Sequence, residues 1–142
     1  MISDTAIDIP GHPLPWLDSF EVGNERIDGE HRALMDAAND LCALALHQTD
    51  PRVLRGAGRE LIAIVEAHFT SEESLFPAIG YTGMLSHVRE HLSIMESLNS
   101  LLLADNHLDA PMAAGTARLL LLEHIIRHDL GFKTWIQVAK GQ

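Results

Sequence analysis

Residues 60–76 read Glu-Leu-Ile-Ala-Ile-Val-Glu-Ala-His-Phe-Thr-Ser-Glu-Glu-Ser-Leu-Phe, and this stretch decides the fold. Leu61, Ile64, Val65, Leu75 and Phe76 recur at the three-and-four spacing of one α-helical face. His68 and Glu72 fall on the same face, interrupting an apolar stripe with two ionisable groups. Four residues apart, they lie on one side of a helix about a turn from each other. A buried carboxylate without a partner is costly, and a buried imidazole less so. The stretch therefore predicts a core helix that carries polar side chains for a purpose.

The same interruption recurs on either side of it. A first helix, roughly 25–47, carries the stripe Ile27, His31, Leu34, Met35, Ala38, Cys42, Ala45. Asp50-Pro51 reads as an N-cap with proline at the first position of the second helix, which runs to about residue 78, with Pro77 and Gly80 as its terminators after Ile79. Thr82-Gly83 opens a third, with Met84, His87, His91, Ile94, Leu98 and Leu101. Pro111 starts a fourth, with Ala117, Leu120, Leu121, His124 and His128 before a stop at Gly131. Phe132, Trp135 and Val138 suggest a short C-terminal piece packed back on the body. Residues 1–23 are broken by Pro10, Gly11, Pro13, Pro15 and Gly23 and read as an arm anchored by Trp16 and Phe20. Long helices with short connections predict an all-α fold, an up-down-up-down antiparallel four-helix bundle over residues 24–142 with an N-terminal arm over 1–23.

Composition narrows the function. A chain of 142 residues makes one domain. Its net charge of −10 argues against the basic face that nucleic acid or an anionic membrane surface requires, so neither is an expected partner. Cys42 is the only cysteine, which rules out an intrachain disulfide and a thiolate zinc cluster. Met1 to Pro10 has no apolar block of the kind a signal peptide needs, and no stretch approaches a membrane span. A cytoplasmic monomer is expected. The anomaly is nine histidines, against ten lysines and arginines together.

His12, His47 and His107 fall in the arm, at a helix end and in a loop, and read as solvated. The others lie on core stripes. His31, His68, Glu72, His87, His91 and His124, with His128 or Asp129, spread over all four helices, and positive charge between them is what makes their burial tolerable. Metal ions bound by side chains from facing helices of a bundle supply it. His87 and His91 repeat the four-residue spacing of His68 and Glu72. The fourth helix is ambiguous. His124 and Asp129 are five apart, which an ideal helix rotates by roughly 140°, so spacing favours His128 unless a widened, π-like turn brings Asp129 round.

The ordered set Trp16, Val22-Gly23-Asn24, Ile27-Asp28, His31, His68-Phe69, Glu72-Glu73, His87, His91, His124-Ile125 and Asp129 resembles the hemerythrin family from Trp16 to about Trp135. Two positions depart from the family's common pattern: Leu120 stands where tryptophan is frequent, and Thr82 follows Tyr81 where proline is frequent. The resemblance implies a non-haem, oxo- or hydroxo-bridged pair of irons per chain that binds O2 reversibly. By position, His87, His91 and His124 would hold one iron, His31 and His68 the other, with Glu72 and Asp129 bridging both, so the family selects Asp129 over His128. It also implies Leu121 as a pocket wall over the open coordination position, with Phe69 and Ile125 as neighbouring candidates. With six ligands per iron, this set leaves one of roughly twelve positions open, on the two-histidine iron, where O2 would be held end-on as hydroperoxide.

Carrier, store and sensor share such a site, and none of them is an enzyme. A peroxidase or nitric-oxide chemistry at the same centre is the alternative. Ferritin-like oxidases have carboxylate-rich sites with Glu-x-x-His pairs, which these stripes lack. A further reading takes His87-Val88-Arg89-Glu90-His91 as the H-x-x-E-H motif of a zinc peptidase, but that motif leaves the other interrupting residues without a role.

Overall fold

In a computed structural model of the chain, residues 12–48, 50–104, 108–127 and 129–141 are described; Pro10, Gly11, His107 and His128, each given a place above, lie outside them. Four long helices make the body: α1 Glu25–His47, α2 Pro51–Ile79, α3 Met84–Leu102 and α4 Ala110–Arg127. A short α5, Lys133–Ala139, follows a 3-10 turn at Asp129–Phe132, and another such turn at Asp18–Phe20 precedes α1. The described residues contain no strand. Each long helix packs against its neighbours in sequence, and α1 packs against α4 to close the ring. Short connections make sequential neighbours antiparallel, so the starts of α1 and α3 share one end of the bundle with the ends of α2 and α4. None of these helices is long and apolar enough to cross a membrane.

The helix ends follow local chemistry. The Asn24 side chain accepts from the Ile27 N–H at 3.0 Å, while Asp28 accepts from the N–H groups of Val22 at 2.7 Å and Gly23 at 3.1 Å. Gly23, at φ 93°, makes that turn possible. Asp50 caps α2 as expected, accepting from Arg52 N at 2.9 Å. Asp109 does the same for α4 through Met112 N, also 2.9 Å, so α4 begins at Ala110, one residue before Pro111. Pro77 does not end α2. The helix continues to Ile79 and stops at Gly80, whose φ of 68° is left-handed. In a last turn proline removes one helical donor without blocking the residues beyond it.

Two apolar clusters form the interior. The larger includes Leu34, Leu61, Val65, Phe69, Ile94, Leu98, Leu121 and Ile125; the smaller is Val22, Ile27, Phe76, Phe132 and Ile136. His31 falls between Ile27 and Leu34 along α1, and Glu72 between Phe69 and Phe76 along α2, so the polar layer separates the two. Ile64 and Met84, expected on the core stripes, are instead 38% exposed. The inward row of α2 is Leu61, Val65, His68, Glu72 and Phe76, and Ile64 lies at its flank. Trp16 and Phe20 pack on the larger cluster as anchors, but Leu14 is the buried residue of that segment. Leu14 is held there by a reciprocal pair of hydrogen bonds with Asn39, at 2.9 and 3.0 Å. The buried Arg118 donates to His12 O at 2.6 Å and to Asn39 Oδ1 at 3.0 Å.

Candidate metal centre

Six of the site side chains project from the four long helices: His31 from α1, His68 and Glu72 from α2, His87 and His91 from α3, His124 from α4. Asp129 comes from the 3-10 turn. Among the described residues no π-like turn brings Asp129 round: α4 runs to Arg127, and Asp129 opens the 3-10 turn. Ending the α-helix removes the rotation that made the five-residue spacing unfavourable, and Asp129 reaches the centre fully buried.

The two carboxylates divide the five imidazoles. Asp129 Oδ1 lies 2.6 Å from His87 Nε2 and 2.8 Å from His124 Nε2. Glu72 Oε1 lies 3.0 Å from His91 Nε2 and 3.4 Å from His87 Nε2. The second oxygens turn the other way. Asp129 Oδ2 is 2.8 Å from His31 Nε2, and Glu72 Oε2 is 3.1 Å from His31 Nε2 and 2.8 Å from His68 Nε2. Two overlapping donor groups result, Glu72 with His87, His91, His124 and Asp129, and Glu72 with His31, His68 and Asp129; within each, the donor atoms all lie within 4.8 Å of one another.

The donors fit a metal pair. All are nitrogen or carboxylate oxygen, suited to divalent first-row metals. His68 Nε2 is buried and makes no hydrogen bond of acceptable geometry despite its 2.8 Å approach to Glu72. Without a cation, protons bind the site together. Burial pulls the rings of His31, His68 and His87 down, but the nearby carboxylates of Asp129 and Glu72 outweigh it, raising His31, pushing His68 up to about 10 and His87 to about 9. Burial and the Asp129 charge push Glu72 up, yet contacts with His31, His68 and His87 hold it well below the usual carboxylate range. Asp129 is held low in the same way, against its burial, by His124, His31, His68 and His87.

Around the centre, the Phe69 ring stacks on His91 at 3.8 Å and 6° and meets His124 edge-on at 5.5 Å. Leu121 and Ile125 are buried in the same apolar cluster as Phe69. Two contacts escaped the sequence reading: His68 Nδ1 donates to Glu30 Oε1 at 2.8 Å, and His91 Nδ1 to Glu73 Oε2 at 2.7 Å. A glutamate on a half-exposed helix face has no distinguishing spacing, although Glu73 did stand in the quoted motif.

Comparison with known proteins bears on this geometry. Over residues 22–132 the chain matches the family model described as the hemerythrin HHE cation-binding domain. It is 28% identical over 124 residues to a myohemerythrin of Theromyzon tessulatum, covering 85% of this chain and 92% of that one. To myohemerythrin-1 of Phascolopsis gouldii it is 29% identical over 129 residues, 89% of this chain and 96% of the relative. A bacteriohemerythrin of Clostridium acetobutylicum is 33% identical over 88 residues, 60% of this chain and 68% of that protein. With the matched span running from the turn before α1 to the end of the 3-10 turn that carries Asp129, the chain belongs to the hemerythrin family.

Proposed function

We propose that this chain holds a non-haem pair of irons and binds O2 reversibly, as a carrier, store or sensor and not as a catalyst. The observation that carries the reading is the split of both carboxylates: one oxygen of Glu72 and one of Asp129 face the three histidines His87, His91 and His124, and the other two face His31 and His68. Two carboxylates shared in this way would be held in common by both metals, and the unequal histidine sets would leave the His31–His68 side short of one donor. O2 is received on that side. A bound iron pair supplies the two electrons that reversible uptake needs, one from each metal.

The protein's own part is to keep this chemistry reversible. Glu72 and Asp129 remain anionic at any ordinary pH and hold the two halves in one register. Phe69, which touches His91 and His124, and Leu121 and Ile125 of the same buried cluster would wall the centre with side chains that have no ionisable proton. The H-x-x-E-H peptidase reading uses His87 and His91 but has no place for His124, Asp129 or Glu72 within contact of them. A monomer working in the cytoplasm remains part of the proposal.

Anaerobic reconstitution with Fe(II), followed by air, tests it. Two irons per chain, a nearly colourless reduced form, a charge-transfer band on exposure to O2 and bleaching when O2 is removed are expected. One metal per chain, or colour that never reverses, overturns the reading.

A further inference from the structure

Resting on the di-iron reading above, we propose that Glu30 and Glu73 are positioning residues of the centre. Each accepts from the outer ring nitrogen of a histidine on the next helix, holds that ring's Nε2 toward a metal and lends the imidazole anionic character. Glu30 does this for the two-histidine half and Glu73 for the three-histidine half.

The geometry is a relay between neighbouring helices. Glu30 precedes His31 on α1, and while His31 turns inward Glu30 reaches across to His68 of α2, 2.8 Å from its Nδ1. Glu73 follows Glu72 on α2, and while Glu72 turns inward Glu73 reaches across to His91 of α3, 2.7 Å from its Nδ1. In both cases the residue beside one site residue clamps a histidine on the following helix. A carboxylate accepts only, so the proton must sit on Nδ1 and the Nε2 lone pair is left for metal. Glu30 is itself fixed from outside: its second oxygen accepts from Ser71 Oγ at 2.9 Å and from Arg26 Nε at 3.2 Å. Arg26, Glu30, His68 and Ser71 all border one surface groove between α1 and α2. Both glutamates therefore stand between solvent and a buried ring, with side chains 28% and 38% exposed.

Alanine and glutamine separate the two roles. Glu30→Ala and Glu73→Ala remove both the acceptor and the charge, whereas Glu30→Gln and Glu73→Gln keep one acceptor oxygen for the ring N–H and lose the charge together with the second oxygen. Fe(II) affinity, read by anaerobic competition with a chromogenic chelator, should fall about 10–100-fold in each alanine variant, the range typical of lost outer partners of metal-bound histidine. The glutamine variants should load two irons but show a raised midpoint potential, because lost anionic character penalises Fe(III) more than Fe(II). A tenfold change in that preference is about 59 mV for a one-electron step. Glu96→Gln, an exposed change of the same charge on α3, should leave the potential in place. Circular dichroism of the metal-free variants checks folding. Should an alanine variant not fold, the glutamine potentials against Glu96→Gln decide. Wild-type affinity in both folded alanine variants, or glutamine potentials no different from that of Glu96→Gln, overturns the inference while wild type still loads two irons. Wild type loading fewer than two overturns the di-iron reading and this inference with it.

Discussion

Glu72 and Asp129 are the residues on which both halves of the centre depend, because each offers one oxygen to either side. Glu72→Gln and Asp129→Asn keep the shape but leave a neutral amide, a poor bridge with one oxygen fewer. Each should lose or labilise at least one iron, measured as metal per chain after gel filtration, while His128→Ala should retain both. Iron stripped by His128→Ala but held by Asp129→Asn would reverse the assignment made at the end of α4. Leu121 acts differently. It is buried one turn before His124, and Leu121→Ala should open a cavity worth about 2–5 kcal/mol in a packed core. Beside polar ligands, water entering it finds hydrogen-bond partners. The variant should hold two irons yet autoxidise several-fold faster; equal rates with an intact centre would move the guarding role to Phe69 or Ile125. Six of the seven candidate site residues were legible as polar letters on apolar stripes, whereas Asp129 was selected over His128 only by the family resemblance. Glu30, Glu73 and Arg118 were not legible, because their contacts run between helices and spacing within one helix carries no trace of them.

Among the elements, the helix ends with local caps follow their sequence signals to within a residue or two: Asn24 and Asp50 bond to backbone within three residues. Legibility fails where an end is settled by tertiary packing. Spacing made Asp129 a poor partner for His124 only on the premise that α4 continues, and α4 stops at Arg127. The segment before α1 is the second such case. Pro13 and Pro15 announce an irregular arm, but its docking rests on Arg118 and Asn39, far along the chain. Arg118→Met keeps most of the buried volume and removes the donors to His12 O and Asn39 Oδ1. A loss of about 1–3 kcal/mol is expected from the acceptors left behind. Limited proteolysis should then cut residues 12–17 faster while iron content holds. Unchanged protection of that segment would show that Leu14 and Trp16 dock it without the arginine.

At the scale of the whole molecule, the buried centre ties folding to pH in opposite ways with and without metal. In the metal-free chain His68 and His87 have values raised from 6.5 to about 10 and about 9 by Asp129 and Glu72, against the pull of burial. A group raised on folding stabilises fully below its unfolded value, and that contribution is lost as pH climbs through the folded one. Metal-free protein should therefore lose stability from about pH 6.5 to 10. The carboxylates run the other way: Glu72 and Asp129 are held low, so their contribution is present above the ordinary carboxylate range and lost as pH falls through and below it. The metal-free chain is thus most stable in the mildly acidic interval between. Metal binding requires neutral imidazoles and displaces those protons, so affinity grows with pH, and a ligand at free concentration L that binds only the folded chain adds stability as RT ln(1 + L/Kd), which rises as Kd falls. The gap between the melting temperatures of Fe(II)-loaded and metal-free protein, measured anaerobically, should widen steadily from pH 6.5 to 9, chiefly because the metal-free value falls. A metal-free melting temperature that is flat or rising over that range would mean that the imidazoles are already neutral in the empty centre, and that something other than their protons holds two buried carboxylates together.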